Sequence, residues 1–102
     1  MSLIVYRLIV YIATTIQLVA SKNRFDIKKR FGLAIKKRRS ELGISQEELS
    51  FIVELHRTYI SDIERGSRNP SLENIYKLAK ALQVSVSELF ANYGIESETE
   101  NE

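Results

Sequence analysis

The sequence predicts an all-α fold: a compact five-helix domain preceded by an apolar segment. Three observations carry that prediction. Apolar residues recur at helical spacing through residues 25–95. Several of these stretches open on a capping residue. Four glycines and one proline are too few for a fold built from tight turns.

The first predicted helix runs between Asp26 and Leu42, where Ile27, Phe31, Ala34, Ile35 and Leu42 form one apolar face. Gly43 supplies its left-handed C-cap. Ser45 and Glu48 have capping-box spacing and open a short second helix with Leu49, Ile52 and Val53 inward. A third begins near His56 and Arg57, buries Ile60, Ile63 and part of Tyr59, and stops at Gly66. Ser71 caps a fourth with the stripe Leu72, Ile75, Leu78, Ala79 and Leu82. A second capping box, Ser85 and Glu88, opens a fifth that carries Leu89 and Phe90 and closes at Gly94.

At 102 residues, 27% charged and 44% hydrophobic, the chain suits one small globular domain with an appendage. It has no cysteine, which excludes disulfides, thiolate metal sites and a cysteine nucleophile. Its one histidine, His56, excludes a polyhistidine metal centre. No nucleophile–base set, Gly-rich phosphate loop or metal-ligand cluster stands at a recognisable spacing. The expectation is a protein without catalysis, metal or cofactor.

The formal charge of +2 is a cancellation. Residues 1–20 hold 15 apolar residues with Arg7 as the only charge, and residues 22–39 carry nine Lys/Arg against Asp26. Residues 40–95 are at −3 and residues 96–102 at −4. These shifts place a domain at 25–95 between an apolar segment at 1–24 and an acidic, disordered tail at 96–102. The basic run Lys28, Lys29, Arg30, Lys36, Lys37, Arg38 and Arg39 reads as a solvated face or, in a nucleic-acid-binding domain, as one where some of these residues attract phosphates.

The two short helices at 45–53 and 57–65 have the dimensions of a helix-turn-helix. The runs Gly43-Ile44-Ser45-Gln46-Glu47-Glu48-Leu49 and Arg57 to Leu72 resemble the phage-repressor, Cro-like (XRE) helix-turn-helix family, which implies that the five helices form a lambda-repressor-like DNA-binding domain. Within them, His56-Arg57-Thr58-Tyr59-Ile60-Ser61 is most similar to the controller proteins of restriction–modification systems.

With Ile60 and Ile63 inward, Arg57, Thr58, Ser61, Asp62 and Arg65 fall on or near the outer face of a recognition helix. Arg57 suits a guanine edge, the Thr58 methyl a thymine, and Asp62 either a cytosine amino group or the repulsion of wrong bases. Tyr59 packs its ring inward and reaches a phosphate with its hydroxyl; Arg65 is a further backbone candidate. His56 either caps the helix or touches a phosphate. The resemblance implies base reading at the outward positions, and backbone contacts from Gln46, Arg68 and Asn69. It also implies a structural pair between Arg39 and Glu64. Three positions depart from the family pattern: Glu54 stands where a turn glycine is usual, Ser50 where alanine is usual, and Phe51 is an apolar oddity that suggests a partner.

The expected function is sequence-specific binding of a double-stranded DNA operator by a homodimeric transcription regulator, with a restriction–modification system as the regulated target. A phage-type repressor or an antitoxin is the alternative within that class, and a protein-interaction adaptor the alternative outside it. Val86, Leu89, Phe90, Tyr93 and Ile95 exceed what a short last helix buries, and some of them, with Val86, Leu89, Phe90 and Tyr93 foremost, are expected at the dimer interface. The cytoplasm, at the nucleoid, is the expected compartment. Residues 3–20 remain open between a functionless extension, an oligomer arm and a marginal membrane anchor that would leave the DNA-binding domain cytoplasmic.

Overall fold

A computed structural model describes residues 2–24 and 26–96, with backbone alone over 17–24. Among these residues there are six helices and no strand: α1 (Leu3–Arg24), α2 (Ile27–Leu42), α3 (Gln46–Val53), α4 (Arg57–Arg65), α5 (Leu72–Ala81) and α6 (Val86–Asn92). The expected acidic tail falls almost wholly outside the described residues, which end at Glu96.

The local signals for α2–α6 act as their chemistry requires. Asp26 accepts from the amides of Lys28 and Lys29 to open α2, and Gly43 ends it at φ 72°. Both capping boxes form, Ser45 with Glu48 and Ser85 with Glu88. Glu54 takes the left-handed conformation, φ 60° and ψ 40°, that the turn of the helix-turn-helix demands.

Phe31, Ala34, Ile35, Leu49, Ile60, Ile63, Leu78, Leu82, Leu89 and Ile95 are all buried in one core. Three residues expected there are exposed: Ile27, Ile52 and Leu72. Ile27 and Leu72 are the first residues of their helices, at the edge of the packed layer. Ile52 lies about 100° round the helix from Val53, and so off the Leu49–Val53 line that the two-turn α3 buries.

A close approach of α2 to α4 organises the body. A Cβ on Gly32 would stand 2.2 Å from the carbonyl oxygen of Ile63 and 2.7 Å from that of Glu64, so only glycine lets the helices meet at this distance. By contrast α1 is exposed along residues 3–16 and, among the described residues, shares no substantial packing interface with α2–α6. Among the described residues no helix is long and apolar enough to cross a membrane.

The expected interface set needs correction. Leu89 and Ile95 have no exposed surface, because the one inward side of α6 and the turn at Gly94 deliver both into the protomer's own core. Neither side chain is available to a partner.

Left-handed geometry at a non-glycine residue costs about 1–2 kcal/mol. Glu54→Gly is therefore expected to raise stability by about 0.5–1 kcal/mol after glycine's entropic cost, read as a higher denaturation midpoint at unchanged slope.

Candidate nucleic-acid interface

The first turn of an α-helix leaves amides that the helix cannot pair. At the start of α4 the Nδ1 atom of His56 accepts from the Thr58 amide at 3.1 Å, so His56 is the N-cap. Burial of Ile60 and Ile63 turns the opposite side of α4 outward. Arg57, Thr58 and Arg65 are exposed there, with Ser61 and Asp62 half-buried beside them.

The outer face divides into a tied half and a free half. Arg65 donates to the Ser61 hydroxyl at 2.6 Å and to the Asp62 carboxylate. The other Asp62 oxygen accepts from Arg68 Nε at 3.3 Å, and the Arg68 guanidinium lies 5.0 Å from the centre of the Tyr59 ring. The Tyr59 hydroxyl accepts from the Asn74 side chain at 3.0 Å. Asp62 thus holds two guanidinium groups, where the sequence suggested an acceptor free for a cytosine. Arg57, one turn nearer the N-terminus, has no intramolecular partner among the described residues. Asn69 is exposed in the loop after α4.

Behind this face lies a polar cluster. Arg39 Nε and Nη2 reach the two Glu64 oxygens at 2.7 and 3.0 Å, the two-pronged contact that suits guanidinium and carboxylate. Nη1 of Arg39 donates to the carbonyl of Ile44 at 2.8 Å, and Gln46 Nε2 donates to Glu64 at 2.9 Å. The hydrogen bond to Glu64 raises the pKa of Arg39. Glu64 is 8% exposed, so this is a buried pair with its lone pairs used. Gln46, expected at a DNA phosphate, turns its amide nitrogen into this cluster.

The basic run divides in the same way. Arg38 donates to the Leu82 carbonyl at 2.8 Å and Arg30 to that of Gly94 at 3.2 Å, which fasten α2 to the segments around α6. Lys37 lies over the Tyr93 ring at 5.7 Å, while the Tyr93 hydroxyl donates to Glu41 at 2.5 Å. Tyr93, expected at a dimer interface, is therefore a tie within the protomer. Lys28, Lys29 and Lys36 remain exposed.

Two contributors escaped the sequence reading. Asn74 is one polar residue on α5 with nothing in its spacing to mark it as the partner of Tyr59. Gly32 did carry a signal, since a glycine inside a helix costs about 1 kcal/mol against alanine and points to a close approach.

A short helix capped by His56, turned outward by two buried isoleucines and joined to α3 through a left-handed turn defines a helix-turn-helix domain. The helix-turn-helix family profile matches residues 35–89, and the chain belongs to that family. It is 52% identical over 65 residues to the control protein C.BamHI of Bacillus amyloliquefaciens, spanning 63% of this chain and 80% of that one. The fold is similar to the restriction–modification controller protein C.AhdI of Aeromonas hydrophila, with a TM-score of 0.59 at 47% identity over 61% of this chain and 94% of that one. The controller protein C.Esp1396I, solved as a tetramer on its natural 35 base-pair operator, matches with a TM-score of 0.60 at 41% identity, over 63% of this chain and 84% of that one.

Removing one member of a buried ion pair costs about 3–5 kcal/mol. Glu64→Ala is expected to lose that order of stability in a denaturant melt, and a residual stability within 1 kcal/mol of the parent, on the order of a surface pair, would contradict the structural role.

The Ser85 backbone amide, donating to the carboxylate of Glu88, lowers the pKa of that group. A carboxyl depressed in the folded state contributes stability above its unfolded value and loses it as pH falls through the folded one. Glutamine also fills this capping position and does not titrate there. Glu88→Gln is thus expected to flatten the acid limb of the stability–pH profile, because at neutral pH the variant gives up the stability that the charge supplies and at low pH it matches the parent.

Proposed function

We propose that this chain is a transcription regulator of the controller type, binding a double-stranded DNA operator as a homodimer with α4 in the major groove. The observation that carries the reading is Arg57, unpartnered among the described residues, beside Thr58 at the exposed N-terminal end of a helix whose other end is clamped by Glu64. Recognition helices read bases from that end. In this reading Arg57 takes a guanine edge and the Thr58 methyl a thymine. Ser61 adds a contact through a hydroxyl already oriented by Arg65, and Asp62 acts by aiming two guanidinium groups.

Arg65 and Arg68 meet phosphates, with His56, Asn69 and the exposed lysines of α2 adding to the backbone grip. Gln46 and Tyr59 serve that grip from behind, through Glu64 and Asn74. The similarity to controller proteins supports a restriction–modification target, and the cytoplasm as compartment. Of the expected interface residues, Val86 and Phe90 remain for the dimer contact. Val86 lines a shallow apolar groove with Tyr76, Ala79 and Val84, and Phe90 is half-buried against Phe31.

One observation favours the adaptor reading. Phe51 is 85% exposed on α3, with Ile52 also exposed, an apolar surface suited to a protein partner.

Selection of bound duplexes from a random pool decides between the two. The regulator predicts an enriched two-fold-related site, with half-sites about one turn, roughly 34 Å, apart. Arg57→Ala is expected to cost about 1–3 kcal/mol of affinity and relax one base position. Arg68→Ala is expected to weaken all sequences alike and reduce the salt slope by about one. Salt-sensitive background binding with no enriched site points to the adaptor.

A further inference from the structure

We infer that α1 is a self-association helix, through which three or more copies of this chain form a bundle separate from the helix-turn-helix body. Ten large apolar side chains of α1 are between 44% and 78% exposed. Nine of its 22 residues are Val, Ile or Thr, which are poor helix formers. A helix of that composition needs an apolar partner to persist in water, and the body offers it no substantial interface.

The pattern of side chains identifies the partner. Val5, Ile9, Ile12 and Ile16 follow one another at steps of four, three and four, the spacing of a heptad seam. Every member is β-branched. On the same repeat Arg7 and Thr14 occupy the position directly opposite the seam, where a bundle meets water.

Nearly two heptads of seam with Arg7 and Thr14 behind it let a helix pack against copies of itself. β-Branched residues at both seam positions favour more than two strands. A wide apolar margin, including Tyr6 and Leu8, extends the buried face as a bundle of several helices requires. A lipid surface fits less well, because surface-lying helices carry a Lys/Arg-rich polar face and this one offers Arg7 followed by Thr14. The family match begins at residue 35, so the inference does not depend on how the body reads DNA.

Sedimentation velocity of the full chain tests it, alongside Ile9→Glu/Ile16→Glu in the seam and Thr14→Glu on the back. The parent is expected to sediment as three or more copies at micromolar concentration. The seam variant is expected to fall to the monomer or dimer that the body supports, with unchanged affinity for a single selected half-site pair, and Thr14→Glu to match the parent. A parent no larger than the seam variant overturns the inference. So does a Thr14→Glu chain that dissociates as completely as the seam variant. Co-sedimentation of the parent with phosphatidylethanolamine–phosphatidylglycerol vesicles, abolished in the seam variant, overturns it in favour of lipid.

Discussion

The two-pronged contact between Arg39 and Glu64 is the interaction on which the rest of the domain depends. It joins the end of α2 to the end of α4, and its remaining donors and acceptors engage the Ile44 carbonyl and the Gln46 amide. Three helices thereby share one buried charged cluster. Apolar packing alone tolerates small slides of one helix along another, whereas a planar guanidinium facing a carboxylate fixes both distance and angle. Burial makes the arrangement costly to break, because each partner would be left as an uncompensated charge.

That clamp separates residues that look equivalent in the sequence. Four of the seven cations in the α2 run, Arg30, Lys37, Arg38 and Arg39, have partners within the protomer. The run is therefore partly a set of fastenings for α4 and α6, and only its exposed lysines are free to act as a diffuse positive field. On α4 the same sorting occurs through Asp62, which spends its two oxygens on Arg65 and Arg68. Arg57 stays apart from both sets.

Much of the fold was legible in the sequence because its signals are local. The capping boxes at Ser45 and Ser85 and the glycine stops at Gly43 and Gly66 act within a few residues of themselves, and each forms where its spacing placed it. The resemblance supplied Arg39 with Glu64, a contact across 25 residues that periodicity does not contain. Burial at helix ends was less legible. Periodicity states which side of a helix is apolar, yet whether Leu72 or Leu89 meets the core depends on where the neighbouring helix begins and ends. The link from Asn74 to Tyr59 depends wholly on tertiary placement, and two polar side chains on separate helices leave no trace of it in the chain.

The contact at Gly32 has a consequence for how the protein searches DNA. The carbonyls of Ile63 and Glu64 rest against α2, Ile60 one turn earlier is buried in the core, and Tyr59 is bonded to Asn74 of α5. Both halves of this nine-residue helix are therefore held by the body, which leaves its axis little room to move. Adjustment to a local groove shape falls to the side-chain rotamers of Arg57 and Thr58 and to the deformability of the DNA, and not to a swing of the helix.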